Sequence, residues 1–335
     1  MIERIDIDVF LQPLGNNNGG MSKPIHILGS NGREYILKNQ HVYNEEKKAW
    51  EIWDCMFLQE VLVHKIAKYL DISIPDCAIA SVDSAFISQD PTLRFNYRYV
   101  PGYHFASKLI EGVENNLIDG FQQLIQLGKR YAKTSWTTFF SNIVNKDDIP
   151  KIIVLDILTG NFDRFGNIGN LIVASNNGDR LLYCIDHGHC FFGSNWGNMN
   201  KRNMLLHVSA NQPYINAWIN ILMNTTGKQV PMGGLGDIFR ALDQYIDVSD
   251  PNNHCFHDVV LAAESIGDGL IDDWFRDIPN EWFVEQKVQI ATYKKFLLEQ
   301  KNLLRTFLNI LAGNGAFQSY IGGALTWNAK LTGTP

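Results

Sequence analysis

The chain has 335 residues, 45% of them hydrophobic and 19% charged, a composition able to bury a sizeable core and incompatible with disorder over most of the length. Its 29 Lys and Arg against 35 Asp and Glu give a formal charge of -6, which lacks the basic excess that drives non-specific binding to nucleic acid. Five scattered cysteines (Cys55, Cys77, Cys184, Cys190 and Cys255), with no C-x-x-C pair, argue against a disulfide scaffold or a Cys-rich zinc site and favour a reducing compartment. The first residues carry no basic segment followed by an apolar one, and no window approaches eighteen consecutive apolar residues, so a soluble cytoplasmic protein without stable membrane association is expected.

Up to about residue 110 the strand-like runs are short: 25–28, 34–37, 78–82 and 97–100. Asn31-Gly32 between the first two is a hairpin turn, because Asn-Gly accepts the positive φ values of a two-residue turn. One helix stands out at 56–70, where Phe57, Val61, Leu62, Ile66, Ala67 and Leu70 recur at helical spacing. This part is expected to form a small antiparallel sheet with a helix across it, residues 1–105, followed by a mostly helical domain, residues 106–335. Helical patterns cover 117–131, 136–144, 151–158, 238–246, 258–266 and a long run, 281–312, read as one core helix or two packed ones. A single island interrupts them: apolar runs at 171–174 and 181–185 flank Asn176-Asn177-Gly178-Asp179, which predicts a buried hairpin. The fold class is therefore α+β.

That hairpin carries the chemistry. Asn161-Phe162-Asp163-Arg164 leads towards it through Asn167 and Asn170, and Asp186-His187-Gly188 leads out. Paired strands bring their ends together, so Asp163, Asn170 and Asp186 are expected to converge. Oxygen donors of this kind suit Mg²⁺, which takes one or two protein carboxylates and completes its shell with water and phosphates. In phosphoryl transfer one Asp orients the attacking hydroxyl while an Asn and a second Asp hold the metal. The first part offers the matching cation: a loop, Gly19-Gly20-Met21-Ser22-Lys23-Pro24, precedes the first hairpin, and the return strand ends in Lys38. Glu60 on the predicted helix is the expected ion-pair partner of Lys38, with Glu45 and Glu46 as weaker competitors in a polar stretch. Taken singly, the loop is a turn, Lys38 and Glu60 are surface residues, Asp163 is a helix cap and Asp186-His187-Gly188 is another turn. Their order along the chain is what points to kinase chemistry.

These stretches resemble the HipA-like kinases, whose compact members carry a G-G-M-S-x-P loop, a strand lysine, an N/Q-E helix start (here Gln59-Glu60), an N-x-D-R segment and an I-D-H-G segment. The resemblance spans roughly residues 10–195. It implies a bilobal protein-kinase-like fold, ATP with Mg²⁺, and transfer of the γ-phosphate to a hydroxyl, most simply of a protein serine or threonine. Asp163 would be catalytic together with Lys38; Gly19, Gly20, Ser22, Lys38, Glu60 and Phe105 would bind the nucleotide; Asn170 and Asp186 would bind metal. Phe105 is expected in the connection between the two domains, beside the adenine. Two departures stand out. The position five residues after Asp163 is Ile168 rather than Asn, leaving Asn170, which runs directly into an apolar strand, and Asn167 as alternatives. His187 occupies the place of the usual Phe, and it would not seat in an apolar slot as Phe does. The same fold would also serve a small-molecule or phosphoinositide kinase, or a pseudokinase scaffold. Members of the family are often toxins paired with a DNA-binding antitoxin; no helix-turn-helix signal is present here, so such a partner would be a separate chain, and direct nucleic-acid binding is not expected.

Overall fold

The computed structural model describes residues 1–14, 22–44, 47–114, 127–128, 132–226 and 235–327. Gly19 and Gly20, Glu45 and Glu46, and the helix expected over 117–131, apart from Leu127 and Gly128, lie outside them.

The first part is a closed barrel. Its strands are β1 (Glu3–Pro13), β2 (Ile25–Gly29), β3 (Glu34–Leu37), β6 (Cys77–Val82) and β7 (Gly102–Lys108), in the order β1-β2-β3-β7-β6. A separate hairpin of β4 (His41–Asn44) and β5 (Ala49–Ile52) follows β3. Alternate residues fill the barrel: Ile25 and Ile27, Tyr35 and Leu37, Ala78 and Ala80, and Ala106 are all buried in one cluster, the period of two that a strand imposes. The intervening residues of β6 and β7, Cys77, Ile79 and Phe105, face outward into a second, larger core.

Three expectations are corrected here. The sheet is not wholly antiparallel: β1 pairs in parallel with β6, Glu3 opposite Ala78 and Ile5 opposite Ala80, and this closes the barrel. The run 97–100 is not a strand. Arg98 sits at φ +56, which breaks the extended chain, while Tyr99 is buried and its hydroxyl donates to the Leu37 carbonyl at 3.0 Å. The strand comes later, as β7, so a boundary at 105 would cut through it; the barrel extends to Lys108.

Helix α1 (Met56–Tyr69) joins the barrel to the rest. It contains no Gly or Pro, and nearly every residue from Met56 to Ala67 is buried. A helix buried nearly all round is enclosed on all sides, and its buried polar residues then need partners; here the outer faces of β6 and β7 lie on one side and the helical part on the other. It stops where Asp71 takes φ +54 and the Ile72 amide reaches back to the Ala67 carbonyl.

The helical part includes α2 (Ala132–Phe139), α3 (Asp148–Thr159), the single turn α4 (Asp163–Gly166), α5 (Met199–Leu206), α6 (Gln212–Thr225), α7 (His257–Glu264), α8 (Asp268–Phe275), α9 (Gln286–Gln300) and α10 (Leu304–Gly313). The long run expected over 281–312 thus resolves into two helices, α9 and α10, separated by a short turn. Between α4 and α5 lies the hairpin of β8 (Leu171–Asn176) and β9 (Asp179–Cys184), in register from Leu171 opposite Cys184 to Asn176 opposite Asp179. Asn177 and Gly178, both at positive φ, make its two-residue turn. The segment leaving β7 pairs with this hairpin, Val113 opposite Ala174, and Arg180 forks onto Glu114 at 2.6 and 2.9 Å. Among the described residues no helix is long and apolar enough to cross a membrane.

Candidate active site

The site forms where three distant stretches meet. Lys38 follows β3, Glu60 lies one turn into α1, and Asp186 follows β9. Lys38 Nζ donates to Glu60 Oε1 at 2.5 Å and to Asp186 Oδ1 at 3.0 Å. The glutamate also accepts the backbone amides of His187 (Oε2, 3.0 Å) and Gly188 (Oε1, 3.0 Å), so it receives three donors with a side chain only 2% exposed. Its neighbour Gln59 points the other way, donating to the Gly193 carbonyl and the Tyr293 hydroxyl, both at 3.1 Å.

Electrostatics follow from this clustering. Burial opposes the Lys38 charge, but Asp186 and Glu60 outweigh it and raise the ammonium above its ordinary range. Burial also opposes ionisation of Asp186, and Lys38 more than offsets it, holding that carboxyl below the usual range. Burial pushes Glu60 up, against the pull of Lys38. The Asp186 side chain remains 39% exposed. Its backbone stands at φ +60, a region that costs a non-glycine residue about 1–2 kcal/mol and persists only when neighbouring contacts hold it.

Asp163 is the first residue of α4, two residues beyond the buried Asn161. Its Oδ2 accepts from Asn170 Nδ2 at 2.6 Å. The structure therefore brings the Asn170 side chain, not that of Asn167, to the Asp163 carboxylate: Asn167 is exposed, its backbone amide donates to the Asp163 carbonyl and its own Oδ1 caps the Gly169 amide at 3.0 Å. The hairpin closes the remaining distance, since the Ile185 amide donates to the Asn170 carbonyl at 3.1 Å and so extends the ladder to the residue before Asp186.

Phe105 is not in the connection between the domains. It lies within β7, opposite Ile79, and its carbonyl accepts the Lys38 amide at 2.9 Å. Its ring still borders the site, with Lys38 Nζ 6.0 Å from the ring centroid. The connection itself is 109–114, where the Ser175 amide donates to the Gly112 carbonyl and the Glu114 amide to the Val173 carbonyl, both at 2.9 Å. Ser22 is half-buried in the stretch between β1 and β2.

Sequence reasoning passed over a buried charge network beneath these residues. Arg164, fully buried, donates from Nε to Asp156 Oδ2 at 2.9 Å and from Nη1 to the carbonyls of Asn170 and Ile185, each at 2.7 Å. Nη2 lies 3.1 Å from His187 Nδ1. Because a guanidinium only donates, that nitrogen accepts and the ring carries its hydrogen on Nε2. Burial, reinforced by Arg164, holds His187 well below its ordinary pKa and hence neutral. His187 thus fills a polar slot rather than the apolar one that a Phe takes. A signal was available: Asp156 is the one carboxylate in the otherwise apolar stretch 152–158, and a lone charge on a buried face requires a partner.

No protein-family model matches the chain, and no curated protein matches it. Among solved structures it is similar to the proinflammatory kinase CtkA of Helicobacter pylori, at 16% identity over 93% of this chain and 98% of that one, with a TM-score of 0.49. It is also similar to HipA of the Shewanella oneidensis toxin–antitoxin system, solved with HipB and operator DNA, at 12% identity, 91% and 67% coverage and a TM-score of 0.42. A third similarity, to the open conformation of CtTel1, has 10% identity and a TM-score of 0.31 and covers 91% of this chain but 12% of that one. These are likenesses of fold.

Proposed function

We propose that the chain is an ATP- and Mg²⁺-dependent kinase of bilobal, protein-kinase-like architecture, with the barrel and α1 as the small lobe and the helical part as the large one. Its acceptor is a hydroxyl, and the acceptor class we favour is protein serine or threonine. The observation that carries this reading is the Lys38 ammonium bridging Glu60 and Asp186, residues from three elements that only the fold brings together.

Each residue has a task that its contacts support. An ammonium has three N–H donors, and two of those of Lys38 are engaged, which leaves one for a phosphate oxygen. Glu60 fixes Lys38 and, through its bonds to two backbone amides, fixes it relative to Asp186. Asn170 spends its Nδ2 on Asp163, and Asp186 spends one oxygen on Lys38, so one amide oxygen and one carboxylate oxygen remain. That donor set fits Mg²⁺, whose charge, when bound with ATP, offsets that of the phosphates. Asp163 keeps Oδ1 for the acceptor hydroxyl, orienting it and taking its proton at that oxygen.

The first test is the thermal shift of the purified protein with ATP alone, Mg²⁺ alone and both. A ligand that binds only the native state stabilises it by about 2.7 kcal/mol at a hundred times its Kd. A shift that needs both components supports the reading, and its absence at saturating concentrations overturns it. Incubation with γ-labelled ATP, with protein acceptors in one arm and inositol-lipid vesicles in another, then reads the acceptor class.

A further inference from the structure

We infer that Arg164, clamped by Asp156, is a positioning residue that sets the spacing of the two metal-holding side chains. The inference rests on the kinase reading above. The two chain segments concerned enter and leave the β8–β9 hairpin, and the hairpin's own ladder ends at the Ile185 amide and Asn170 carbonyl. Beyond that rung, Arg164 Nη1 joins them, donating at 2.7 Å to the Asn170 carbonyl on one side and the Ile185 carbonyl on the other. The first carbonyl belongs to a candidate ligand. The second belongs to the peptide group that links Ile185 to Asp186, so the guanidinium holds the orientation from which Asp186 starts.

Asp186 has particular need of such support, since it stands at φ +60 with a half-buried side chain. Contacts on both sides hold it there: Ile185 through Arg164, and His187 through its amide to Glu60 and its ring to Arg164. The guanidinium is in turn immobile. It is planar, Asp156 receives its Nε with oxygens at 2.9 and 3.2 Å, and Asn161 Nδ2 steadies that carboxylate at 3.0 Å. Arg164 also follows Asp163 directly, so the backbone of the proposed base is tied to the same point. A lysine at 164 carries the charge but lacks the fork needed to reach both carbonyls and the imidazole together. His187 then has a physical reason: its Nδ1 receives the last guanidinium edge, a hydrogen bond that no phenylalanine offers.

The test uses the full-length protein and Mn²⁺ as a paramagnetic stand-in for Mg²⁺, titrated by electron paramagnetic resonance in the presence of a non-hydrolysable ATP analogue. Arg164→Lys is expected to weaken Mn²⁺ binding by about 10–100-fold, the range seen when partners of metal ligands are removed. Analogue binding in chelator, which depends on Lys38, stays within about twofold, a split that general unfolding does not produce. Mn²⁺ affinity unchanged in a folded Arg164→Lys protein overturns the inference. If the wild-type protein binds no Mn²⁺, the kinase reading itself fails. A second pair of variants decides the matter should Arg164→Lys not fold. His187→Gln offers Oε1 to Arg164 and is expected to retain Mn²⁺ affinity, whereas His187→Leu, of similar bulk, loses at least about threefold; equal affinities in the two refute the positioning role.

Discussion

Replacing Glu60 by Gln exchanges one oxygen for an NH₂ group and disturbs three contacts at the centre of the site. The carboxylate accepts from Lys38 Nζ and the Gly188 amide at Oε1 and from the His187 amide at Oε2. A glutamine that places its carbonyl at the Oε1 position keeps the first two donors but presents its NH₂ to the His187 amide. The flipped rotamer sets NH₂ against both of the others. In the better case the Lys38 bond loses its ion-pair character and the Gly188 bond becomes neutral, a loss of about 1 kcal/mol each, and one buried N–H is orphaned, which costs about 1–3 kcal/mol. The sum, about 3–5 kcal/mol, matches the cost of breaking a buried ion pair. Asp186 continues to face Lys38, so the expected loss lies in the lower half of that range, still a large share of the roughly 5–15 kcal/mol that holds a domain folded. Urea unfolding followed by circular dichroism at pH 7 measures it, and ATP binding to the same variant should weaken because Lys38 is no longer fixed from the helix side. A loss below about 1 kcal/mol with ATP affinity unchanged would mean that the carboxylate does not gather these donors in solution, and the reasoning from the ion pair would fall.

Asp163→Asn retains an oxygen to accept from Asn170 and should leave the melting temperature nearly unchanged while lowering phosphoryl transfer by about 10²–10⁴-fold, the usual contribution of a general base; a fully active variant would remove Asp163 from the mechanism. Gly112 sits at φ +69, and a Cβ there would collide with the Ser175 carbonyl oxygen, so Gly112→Ala should cost more than about 2 kcal/mol and loosen the join between barrel and hairpin. Differential scanning calorimetry reads that cost, and a melting temperature equal to wild type would show that the close approach is not made. Acid should weaken the fold well above the carboxylate range. Burial, with Lys68 nearby, lowers His64 to about 4, and burial lowers His104 to about 4 against the pull of the Gly102 carbonyl. Both are neutral in the native state, whereas unfolded histidine takes up its proton near pH 6.5. Their contribution is therefore complete above pH 6.5 and is lost as pH falls towards 4, at up to about 1.4 kcal/mol per unit per group. Between pH 7 and 5 the urea midpoint should fall less steeply with acid in His104→Gln than in the wild-type protein, and equal slopes in the two would contradict the buried neutral state.

The parts of the site that could be read from the sequence are those whose geometry is local. Asn177-Gly178 between two apolar runs specifies a tight hairpin, and a hairpin necessarily joins its ends, so the approach of Asn170 to the residue before Asp186 follows from a turn and a strand period. Lys38 and Glu60 were legible for a related reason: one ends a strand of a recognisable hairpin, and the other begins a strongly patterned helix. What escaped depends on contacts that no local pattern encodes. In β1, Ile5 and Ile7 alternate with Asp6 and Asp8, yet only Ile5 is buried, and the strand acquires its place from a parallel pairing with β6 some 75 residues away. Tyr97 and Tyr99 imitate a strand period because both pack on the barrel, although Arg98 turns the chain between them. That the Asn170 side chain, and not that of Asn167, bonds the Asp163 carboxylate depends on a single side-chain placement, and the Asp156–Arg164 pair on the meeting of α3 with the turn after it.

Helix α1 shows why this site and this core are the same construction. Glu60 needs a fixed position, and the helix supplies it by being bonded outside the site on every side. The Cys55 amide donates to the Ser194 carbonyl at 2.9 Å, Gln59 reaches Gly193 and Tyr293, and Lys65 pairs with Asp277 at 2.5 Å. The segment carrying Asp277 continues to Glu281 and Trp282, which bind the amide and carbonyl of Tyr103 at the start of β7. Barrel, helix and helical part are thus joined behind the ion pair by contacts that burial strengthens. Swinging α1 away from Lys38 would orphan several of these groups together and uncover Phe57, Val61 and Leu62, side chains no more than 2% exposed. Such a movement carries costs of the size of partial unfolding. The Lys38–Glu60 contact is accordingly completed by folding itself, and the adjustable element of the site is the half-exposed Asp186 carboxylate, the one member of the trio with an oxygen still free to change partner.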